Sequence, residues 1–219
     1  MKSCLILTSL IERSDFFKTL ELSGYDALIC ADAGLQRAEE LGFLGKLPTY
    51  FLGDYDSGNA PTPEEQDTAK DLILLPSVKD MTDSEAAIDL AVSEGFDTIH
   101  VLGGLGGRLD HTLGNLGMLA KYAGDPRIDV LCFEDGQNKV FLKTPGTFRI
   151  FPDRFGYFGL IAWGGPVEGL TITGAKYPLS DHTLTPDTTL GVSNEIAEGA
   201  SFAEVTHRAG QLLVIQSKD

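Results

Sequence analysis

Four short segments of this 219-residue chain combine acidic residues with glycine or lysine, and each follows an apolar run. They are residues 32–34, 53–57, 79–83 and 103–111. Because the carboxyl ends of the strands in an open α/β sheet face one crevice, we expect these segments to converge there. Carboxylates, an arginine and glycine amides in one place predict a site for a metal-bound phosphate ester.

The second segment reads Gly-Asp-Tyr-Asp-Ser and follows a predicted strand. In an extended chain, residues two apart point the same way, so Asp54 and Asp56 are expected to bind one divalent cation. Mg²⁺ takes one or two carboxylates together with substrate phosphates, and we place Ser57 beside those phosphates. An acidic turn is the alternative, since Asp, Ser and Gly all favour turns.

The third segment reads Lys-Asp-Met-Thr-Asp. Thr82 fits the N-cap of a helix, with Glu85 completing a capping box, and Asp83 in the first turn suits the helix dipole. Capping alone would explain Thr82 and Glu85, but not Asp80 or Lys79. We therefore assign Asp80 and Asp83 to the reaction. Lys79 and Thr82 are assigned to nucleotide binding.

The fourth segment, residues 103–111, carries four glycines between a predicted strand and a predicted helix. Such a loop lets backbone N–H groups approach a phosphate, and Arg108 adds a permanent charge with a planar fork. The segment is neither a P-loop nor a Gly-x-Gly-x-x-Gly fingerprint. Asp110 is a further candidate for the reaction, unless it only caps the helix. The other expected nucleotide contacts here are Gly104, Gly106, Gly107 and His111.

The first segment, Asp-Ala-Gly, is the weakest of the four signals. Asp32 is either another carboxylate in the crevice or part of a turn. We expect Asp32 and Gly34 to lie beside the nucleotide. In the second half of the chain, Tyr177 offers an aromatic face and Ser193 a hydroxyl to a ligand, although both also suit hairpins.

The elements that position these segments alternate between apolar runs and helical patterns over the first 130 or so residues. Predicted strands are 4–8, 27–31, 50–52, 72–75, 98–102 and 129–133, and predicted helices are 15–22, 35–41, 63–70, 83–94 and 111–122. This alternation predicts a Rossmann-like parallel sheet covered on both faces. Gly114 and Gly117 in the last helix are expected to let it approach a strand closely.

Beyond residue 134 the pattern changes to short β-rich runs separated by Gly, Pro and Asp. These runs are 139–142, 147–151, 157–163, 169–173, 201–206 and 211–216. They predict a C-terminal all-β sandwich. The expected domains are residues 1–135 and residues 136–219.

Composition restricts the classes of function. The net charge of −15 argues against nonspecific binding to nucleic acid or to an anionic membrane, because both rely on Lys and Arg. No apolar stretch is long enough to span a bilayer, and the apolar run 4–10 suits a strand rather than a signal peptide. Cys4, Cys30 and Cys132 lack metal or redox spacing, which predicts buried free thiols and a reducing cytoplasm.

In their order along the chain, these motifs resemble those of the thiamine pyrophosphokinase family. They are Asp-x-Gly, Gly-Asp-aromatic-Asp-Ser, Lys-Asp-x-Thr-Asp, Gly-Gly-Arg-x-Asp-His and a late Ser-Asn-Glu. The resemblance implies transfer of the β,γ-diphosphate of ATP to the hydroxyethyl oxygen of thiamine, which gives thiamine diphosphate and AMP. It also implies Mg²⁺ and a homodimer whose active sites are assembled from two chains.

By the same resemblance, Asp54, Asp56 and Asp83 belong to the Mg²⁺–ATP site, with Asp32 close by. Arg108 and Asp110 would contact the nucleotide or its phosphates. The thiamine pocket would contain Tyr177, Ser193 and Asn194, facing the α/β domain of the partner chain. The chain departs from the family pattern at Ala33, at Tyr177 where Trp is frequent, and at Gly191 and Val192.

Two alternatives remain open from the sequence. A pyrophosphokinase for another heterocyclic alcohol, such as a hydroxymethylpterin, would use the same α/β motifs. A non-catalytic nucleotide or thiamine sensor could share the scaffold, although a sensor need not keep a metal site.

Overall fold

The structure is a computed structural model that describes residues 1–11, 14–55, 60–76 and 80–219. Its contacts divide the chain into two compact units, Met1–Gly136 and Gln137–Asp219. The chain is an α/β protein with both parallel and antiparallel strand pairs. No helix within the described ranges is long and apolar enough to cross a membrane.

The first unit is built on six parallel strands. They are β1 (Ser3–Leu7), β2 (Ala27–Ala31), β3 (Thr49–Gly53), β4 (Asp71–Leu74), β5 (Thr98–Leu102) and β6 (Val130–Glu134). Their order across the sheet is β4-β3-β2-β1-β5-β6, and each neighbouring pair is parallel. All six carboxyl ends therefore lie at one edge, and the order reverses between β1 and β5.

Among the residues that the structure describes, five α-helices lie between these strands. They are α1 (Ser14–Phe17), α2 (Gly34–Leu41), α3 (Pro63–Thr68), α4 (Asp83–Ser93) and α5 (Leu109–Lys121), with a 3₁₀ turn at Leu22–Gly24. Strands β2 and β3 are buried at every position. Burial on both faces explains why their sequences read as continuous apolar runs rather than as alternating patterns.

The predicted strands of this unit are confirmed, with ends within about one residue of the observed ones. The predicted first helix, 15–22, is wrong in length. The Leu20 N–H donates to the Phe17 carbonyl at 2.9 Å, a tighter three-residue turn that ends the α-helical ladder. The expected close approach at Gly114 and Gly117 is also wrong, because a Cβ built on either would meet nothing within 4 Å.

The three cysteines are free and buried, as predicted. Burial raises the pKa of the Cys4 thiol to about 12 and also raises that of Cys30. A thiol with so high a pKa carries almost no thiolate at neutral pH, so these residues act as small apolar side chains.

The second unit contains six strands, and every pairing among them is antiparallel. They are β7 (Asn138–Lys143), β8 (Gly146–Ile150), β9 (Tyr157–Thr173), β10 (Leu179–Leu184), β11 (Ala203–His207) and β12 (Ala209–Ser217). Strand β9 pairs with β12 along its first part and with β10 and β11 along its second. Alternate residues such as Phe158, Leu160 and Ala162 face a common apolar core.

Two predictions for this unit need correction. The separate strands 157–163 and 169–173 form one strand, because the register shift opposite Ala209–Gln211 absorbs Gly164 and Gly165 as an irregularity rather than a turn. Strand β10 was not predicted, since its sequence Leu-Ser-Asp-His-Thr-Leu has few apolar residues and only its last is buried.

Candidate active site

An open cleft of about 300 Å³ lies beyond strands β1 and β5. It lies where the strand order reverses, which is where ligands bind in open α/β sheets. Its lining residues are Thr8, Ser9, Leu10, Ser84, Gly104, Gly106, Gly107, Arg108, His111 and Asn115. The structure thus brings five of the predicted nucleotide contacts, all from segment 103–111, into one cleft.

The glycine loop adopts a backbone that other residues rarely adopt. Gly103, Gly104, Gly106 and Gly107 have φ values of 91°, 74°, 89° and 61°. A Cβ on Gly103 would lie 2.1 Å from the Leu10 carbonyl oxygen, and one on Gly107 would lie 2.6 Å from Leu10 Cδ2. The glycines therefore allow the loops after β1 and β5 to touch.

Two N–H groups of this loop are used inside the protein. The Gly103 N–H donates to the Glu134 carbonyl at 2.7 Å, and the Gly104 N–H donates to the Leu10 carbonyl at 3.2 Å. Asn115 Nδ2 donates to the Gly104 carbonyl at 2.7 Å. Gly104 thus anchors the loop, and Gly106 and Gly107 also line the cleft.

Arg108 and Asp110 form a two-point ion pair at the start of α5. Arg108 Nε donates to Asp110 Oδ1 at 3.1 Å, and Nη2 donates to Oδ2 at 2.6 Å. Hydrogen bonding to Arg108 lowers the pKa of Asp110, and the same bond raises the pKa of Arg108. Both side chains are exposed, at 74% and 64%, so a ligand can reach them.

The backbone segments that follow β2 and β3 lie close together. A Cβ on Gly53 would lie 3.1 Å from Asp32 Cα and 3.3 Å from Cζ of the Tyr55 ring. The Asp32 N–H donates to the Leu52 carbonyl at 2.7 Å. Asp32 and Tyr55 both adopt left-handed backbone, with φ of 49° and 50°.

The pKa of Tyr55 is raised by burial and by neighbouring carboxylates. Burial raises the pKa of its phenol most, and Cys30, Asp32 and Asp83 raise it further by charge repulsion. The carboxylates of Asp32, in the turn after β2, and of Asp83, at the start of α4, therefore both lie near this ring. The Oδ1 atom of Asp32 is buried and has no hydrogen-bond donor among the residues that the structure describes.

A buried acceptor without a donor costs about 1–3 kcal/mol, which a cation or a ligand donor would recover. Asp54 lies next to this group, after β3, and is half-buried. A hard divalent cation prefers carboxylate oxygens as ligands, so the side chains of Asp32, Asp54 and Asp83 fit Mg²⁺. Within the described ranges, no three His, Cys, Asp or Glu side chains form a ready metal cluster.

The pairing of Asp54 with Asp56 was argued from an extended backbone, and the structure does not show an extended backbone at Tyr55. Strand β3 ends at Gly53, and the left-handed Tyr55 turns the chain, so the backbone after Asp54 is not extended. Asp56 and Ser57 themselves, and Lys79 of the third segment, lie outside the described residues. Their assigned roles therefore remain predictions.

The remaining residues of the third segment have mixed environments. Thr82 caps α4, and its Oγ1 accepts from the Glu85 N–H at 3.2 Å. The Glu85 carboxylate accepts from Lys121 Nζ at 2.9 Å. Capping accounts for Thr82, whereas Asp80 is exposed just before the helix.

Gly34 has a packing role at the start of α2. A Cβ there would lie 2.1 Å from the Leu7 carbonyl oxygen. The glycine therefore allows α2 to begin directly against β1, which explains its type without a ligand.

In the second unit, Asn194 and Tyr177 are in direct contact. The Tyr177 N–H donates to Asn194 Oδ1 at 3.1 Å, and Asn194 Nδ2 donates to the Tyr177 carbonyl at 2.8 Å. The Tyr177 ring is 58% exposed. Ser193 lines a neighbouring cavity of about 370 Å³, together with Tyr157.

The sequence interpretation missed several residues of the cleft. Thr8 and Ser9 follow β1 at the same edge as the four segments, so the rule that located those segments could have found them. Ser84 follows the predicted Asp83, and Asn115 lies nearly two turns into α5. Only the three-dimensional fold places Ser84 and Asn115 on the cleft wall.

Comparison with known proteins supports the interpretation of both halves of the chain. The description "Thiamin pyrophosphokinase, catalytic domain" matches residues 19–131, and "Thiamin pyrophosphokinase, vitamin B1 binding domain" matches residues 147–212. The thiamine pyrophosphokinase of Bacillus subtilis (strain 168) is 33% identical over 180 residues, covering 80% of this chain and 81% of that relative.

Solved structures of the same kind match the whole fold. Thiamin pyrophosphokinase from Geobacillus thermodenitrificans is 31% identical with a TM-score of 0.82, and covers 100% of this chain and 98% of its own. The structure of the Bacillus subtilis enzyme also has a TM-score of 0.82, at 26% identity over 100% of both chains. The resemblance first seen in the order of the motifs is thus confirmed, and the chain belongs to the thiamin pyrophosphokinase family.

Proposed function

We propose that this chain transfers the diphosphate group of ATP to the hydroxyl of thiamine and releases thiamine diphosphate and AMP. The observation that carries this function is the cleft between β1 and β5, where the glycine loop and Arg108 lie beside the start of α4. Family membership favours it over a pterin pyrophosphokinase, because the match extends to the vitamin B1 binding domain. A non-catalytic sensor is likewise not favoured.

The two units would divide the work. Residues 1–135 would form a Rossmann-like domain that binds ATP and Mg²⁺. Residues 136–219 would form a β-sandwich that binds thiamine and contributes to a homodimer with active sites between subunits. The antiparallel pairing of the second unit, with β9 shared between two sets of partners, supports a sandwich.

The triphosphate of ATP would lie against the glycine loop. The amides of Gly106 and Gly107 would donate to phosphate oxygens, and the Arg108 fork would bind two oxygens at once. Asp110 holds that fork in place until the substrate arrives. His111 and the hydroxyls of Thr8 and Ser9 line the same cleft, and Gly104 anchors the loop.

Asp54, Asp56 and Asp83 would hold Mg²⁺, with Asp32 next to them. The buried Asp32 Oδ1 and the repulsion that raises the Tyr55 pKa support this assignment, since both indicate excess negative charge. When bound, Mg²⁺ would offset the negative charge of the phosphate oxygens. Gly34, Ser57, Lys79 and Thr82 remain proposed neighbours of the nucleotide.

In the reaction, the thiamine hydroxyl oxygen attacks the β-phosphorus, and the bond from that phosphorus to the AMP oxygen breaks. The hydroxyl proton passes to a carboxylate. Asp80 and Asp110 are the candidates for this proton acceptor. Positioning by Arg108 and the loop amides would supply most of the acceleration.

The thiamine pocket would contain Tyr177, Ser193 and Asn194. Tyr177 would stack on a ring of thiamine with its exposed face. The net charge of −15 would attract the thiamine cation over distance, to an extent that falls as salt increases. The buried free thiols support a reducing, cytoplasmic location.

A product assay tests the function. The protein is incubated with ATP, MgCl₂ and thiamine, and the nucleotides and thiamine phosphates are separated by chromatography. We expect AMP and thiamine diphosphate in equal amounts. Formation of ADP with thiamine monophosphate would show single phosphoryl transfer, and AMP formation only with a hydroxymethylpterin would reassign the substrate.

A further inference from the structure

Asn194 is almost fully buried, with 6% of its surface exposed, and its amide is used on the surrounding backbone. Its Oδ1 accepts from the N–H groups of Tyr177 at 3.1 Å and Glu195 at 2.9 Å. Its Nδ2 donates to the Tyr177 carbonyl at 2.8 Å. An amide oxygen has two acceptor positions, so both are filled by the protein itself.

Asn194 is also tied to the sheet. Its backbone exchanges two hydrogen bonds with Phe158 of β9, at 2.8 and 2.9 Å. Ser193 before it has a φ of 59°, a left-handed conformation that turns the chain into this position. The Asn194 side chain therefore extends from a fixed point on β9 to the segment that carries Tyr177.

Tyr177 needs such support because its own ring is largely exposed. A side chain held by burial has its direction set by packing, whereas the ring of Tyr177 is 58% exposed. Its direction depends on the backbone of residues 176 and 177. That backbone is held by Asn194 and by the bond from the Lys176 N–H to the Glu195 carbonyl, at 2.8 Å.

We propose that Asn194 is a positioning residue, which holds the Tyr177 backbone so that the ring stacks on thiamine and does not itself bind thiamine. This role rests on the proposed function. It predicts that loss of the Asn194 amide weakens thiamine binding through Tyr177 alone, with little effect on the chemical step or on ATP.

A double-mutant cycle separates the two possible roles of Asn194. Asn194→Ala, Tyr177→Ala and the double variant are assayed for KM and kcat with each substrate, in the full-length protein. Tyr177→Ala should raise the thiamine KM about tenfold, the usual size of a lost stacking contact. Asn194→Ala should raise it nearly as much, and the double variant no more than Tyr177→Ala.

Gln216→Ala is the matched control for general destabilisation. Gln216 is as buried as Asn194, at 8%, and its amide donates to Asp153 in the same unit at 2.9 Å. This variant should lose thermal stability to a similar degree as Asn194→Ala, with the thiamine KM unchanged. An equal rise of KM in Gln216→Ala would mean that Asn194 acts only through stability and would overturn the proposal.

Two further outcomes count against the proposal. A double variant whose KM is the product of the two single effects would show that Asn194 contacts thiamine directly. An unchanged KM in Asn194→Ala would show that the Tyr177 ring needs no support. If Asn194→Ala does not fold, Asn194→Asp replaces it in the cycle, because it keeps the side-chain shape and puts a carboxylate oxygen in place of the donor to the Tyr177 carbonyl.

The wild-type assay distinguishes the two levels of the argument. Absence of AMP formation by the unchanged protein would refute the proposed function, and the role of Asn194 with it. Normal wild-type turnover with additive variants would refute only the positioning role.

Discussion

Gly103→Ala should damage both stability and nucleotide use, because Gly103 lies where the loops after β1 and β5 touch. A Cβ built at this position lies 2.1 Å from the Leu10 carbonyl oxygen, and real Cβ atoms keep at least 3.0 Å. The two loops must therefore separate by roughly 1 Å. That movement threatens the bond from the Gly104 N–H to the same carbonyl.

The stability cost has two parts. An alanine at the φ of 91° costs about 1–2 kcal/mol in the backbone. Loss of the Leu10 hydrogen bond adds about 1 kcal/mol. The matched control is Gly95→Ala, where φ is 77° but a Cβ meets nothing within 4 Å, so only the backbone part applies.

Unfolding in urea measures the stability of both variants, and steady-state kinetics measures their use of ATP. Gly103→Ala should be less stable than Gly95→Ala by about 1 kcal/mol. Its kcat/KM for ATP should fall by about 100-fold, the cost of a misplacement near 1 Å, while that of Gly95→Ala stays normal. Equal stability and normal ATP kinetics in Gly103→Ala would refute the claim that loop contact shapes the cleft.

Three further predictions concern charge. Asp54→Asn should abolish AMP formation and weaken Mg²⁺-dependent ATP binding in calorimetry. Asp129→Asn, at the opposite edge of the sheet, should do neither. Normal turnover in Asp54→Asn would show that Asp54 does not belong to the metal site. Asp110→Asn should raise the KM for ATP severalfold by releasing Arg108. The melting temperature should not change, because both side chains of the ion pair are exposed. A large loss of stability would contradict a role limited to holding Arg108. Burial lowers the pKa of His207, so its contribution to stability is complete above the ordinary value of 6.5 and is lost as the pH falls towards the lower folded pKa. His207→Leu should flatten that pH dependence in urea unfolding, and an unchanged slope would assign it to other groups.

Strand periodicity and segment order were enough to predict the parallel sheet and the edge where its site lies. Those features depend on local apolar patterns and on one topological rule, both of which can be read from residues such as 27–31 and 98–102. The contribution of Asn115 could not be predicted. Its amide reaches the Gly104 carbonyl across 11 positions, and helical periodicity would assign Asn115 to either face. The strands of the second unit were harder to predict. A pair of glycines such as Gly164 and Gly165 is found both in β-bulges and in turns, so the sequence did not show that β9 continues through them.

The left-handed residues explain why the assumption of extended backbone between Asp54 and Asp56 failed at Tyr55. Among the described non-glycine residues, positive φ occurs at Asp32, Tyr55, Asp181 and Ser193. Such backbone persists only where the surroundings enforce it. At Tyr55 the enforcing contact is burial of the ring, which is 8% exposed and packs against Gly53. The tyrosine between the two aspartates is therefore a structural anchor. It turns the chain immediately after β3, and so aims Asp54 according to a buried ring rather than according to strand alternation.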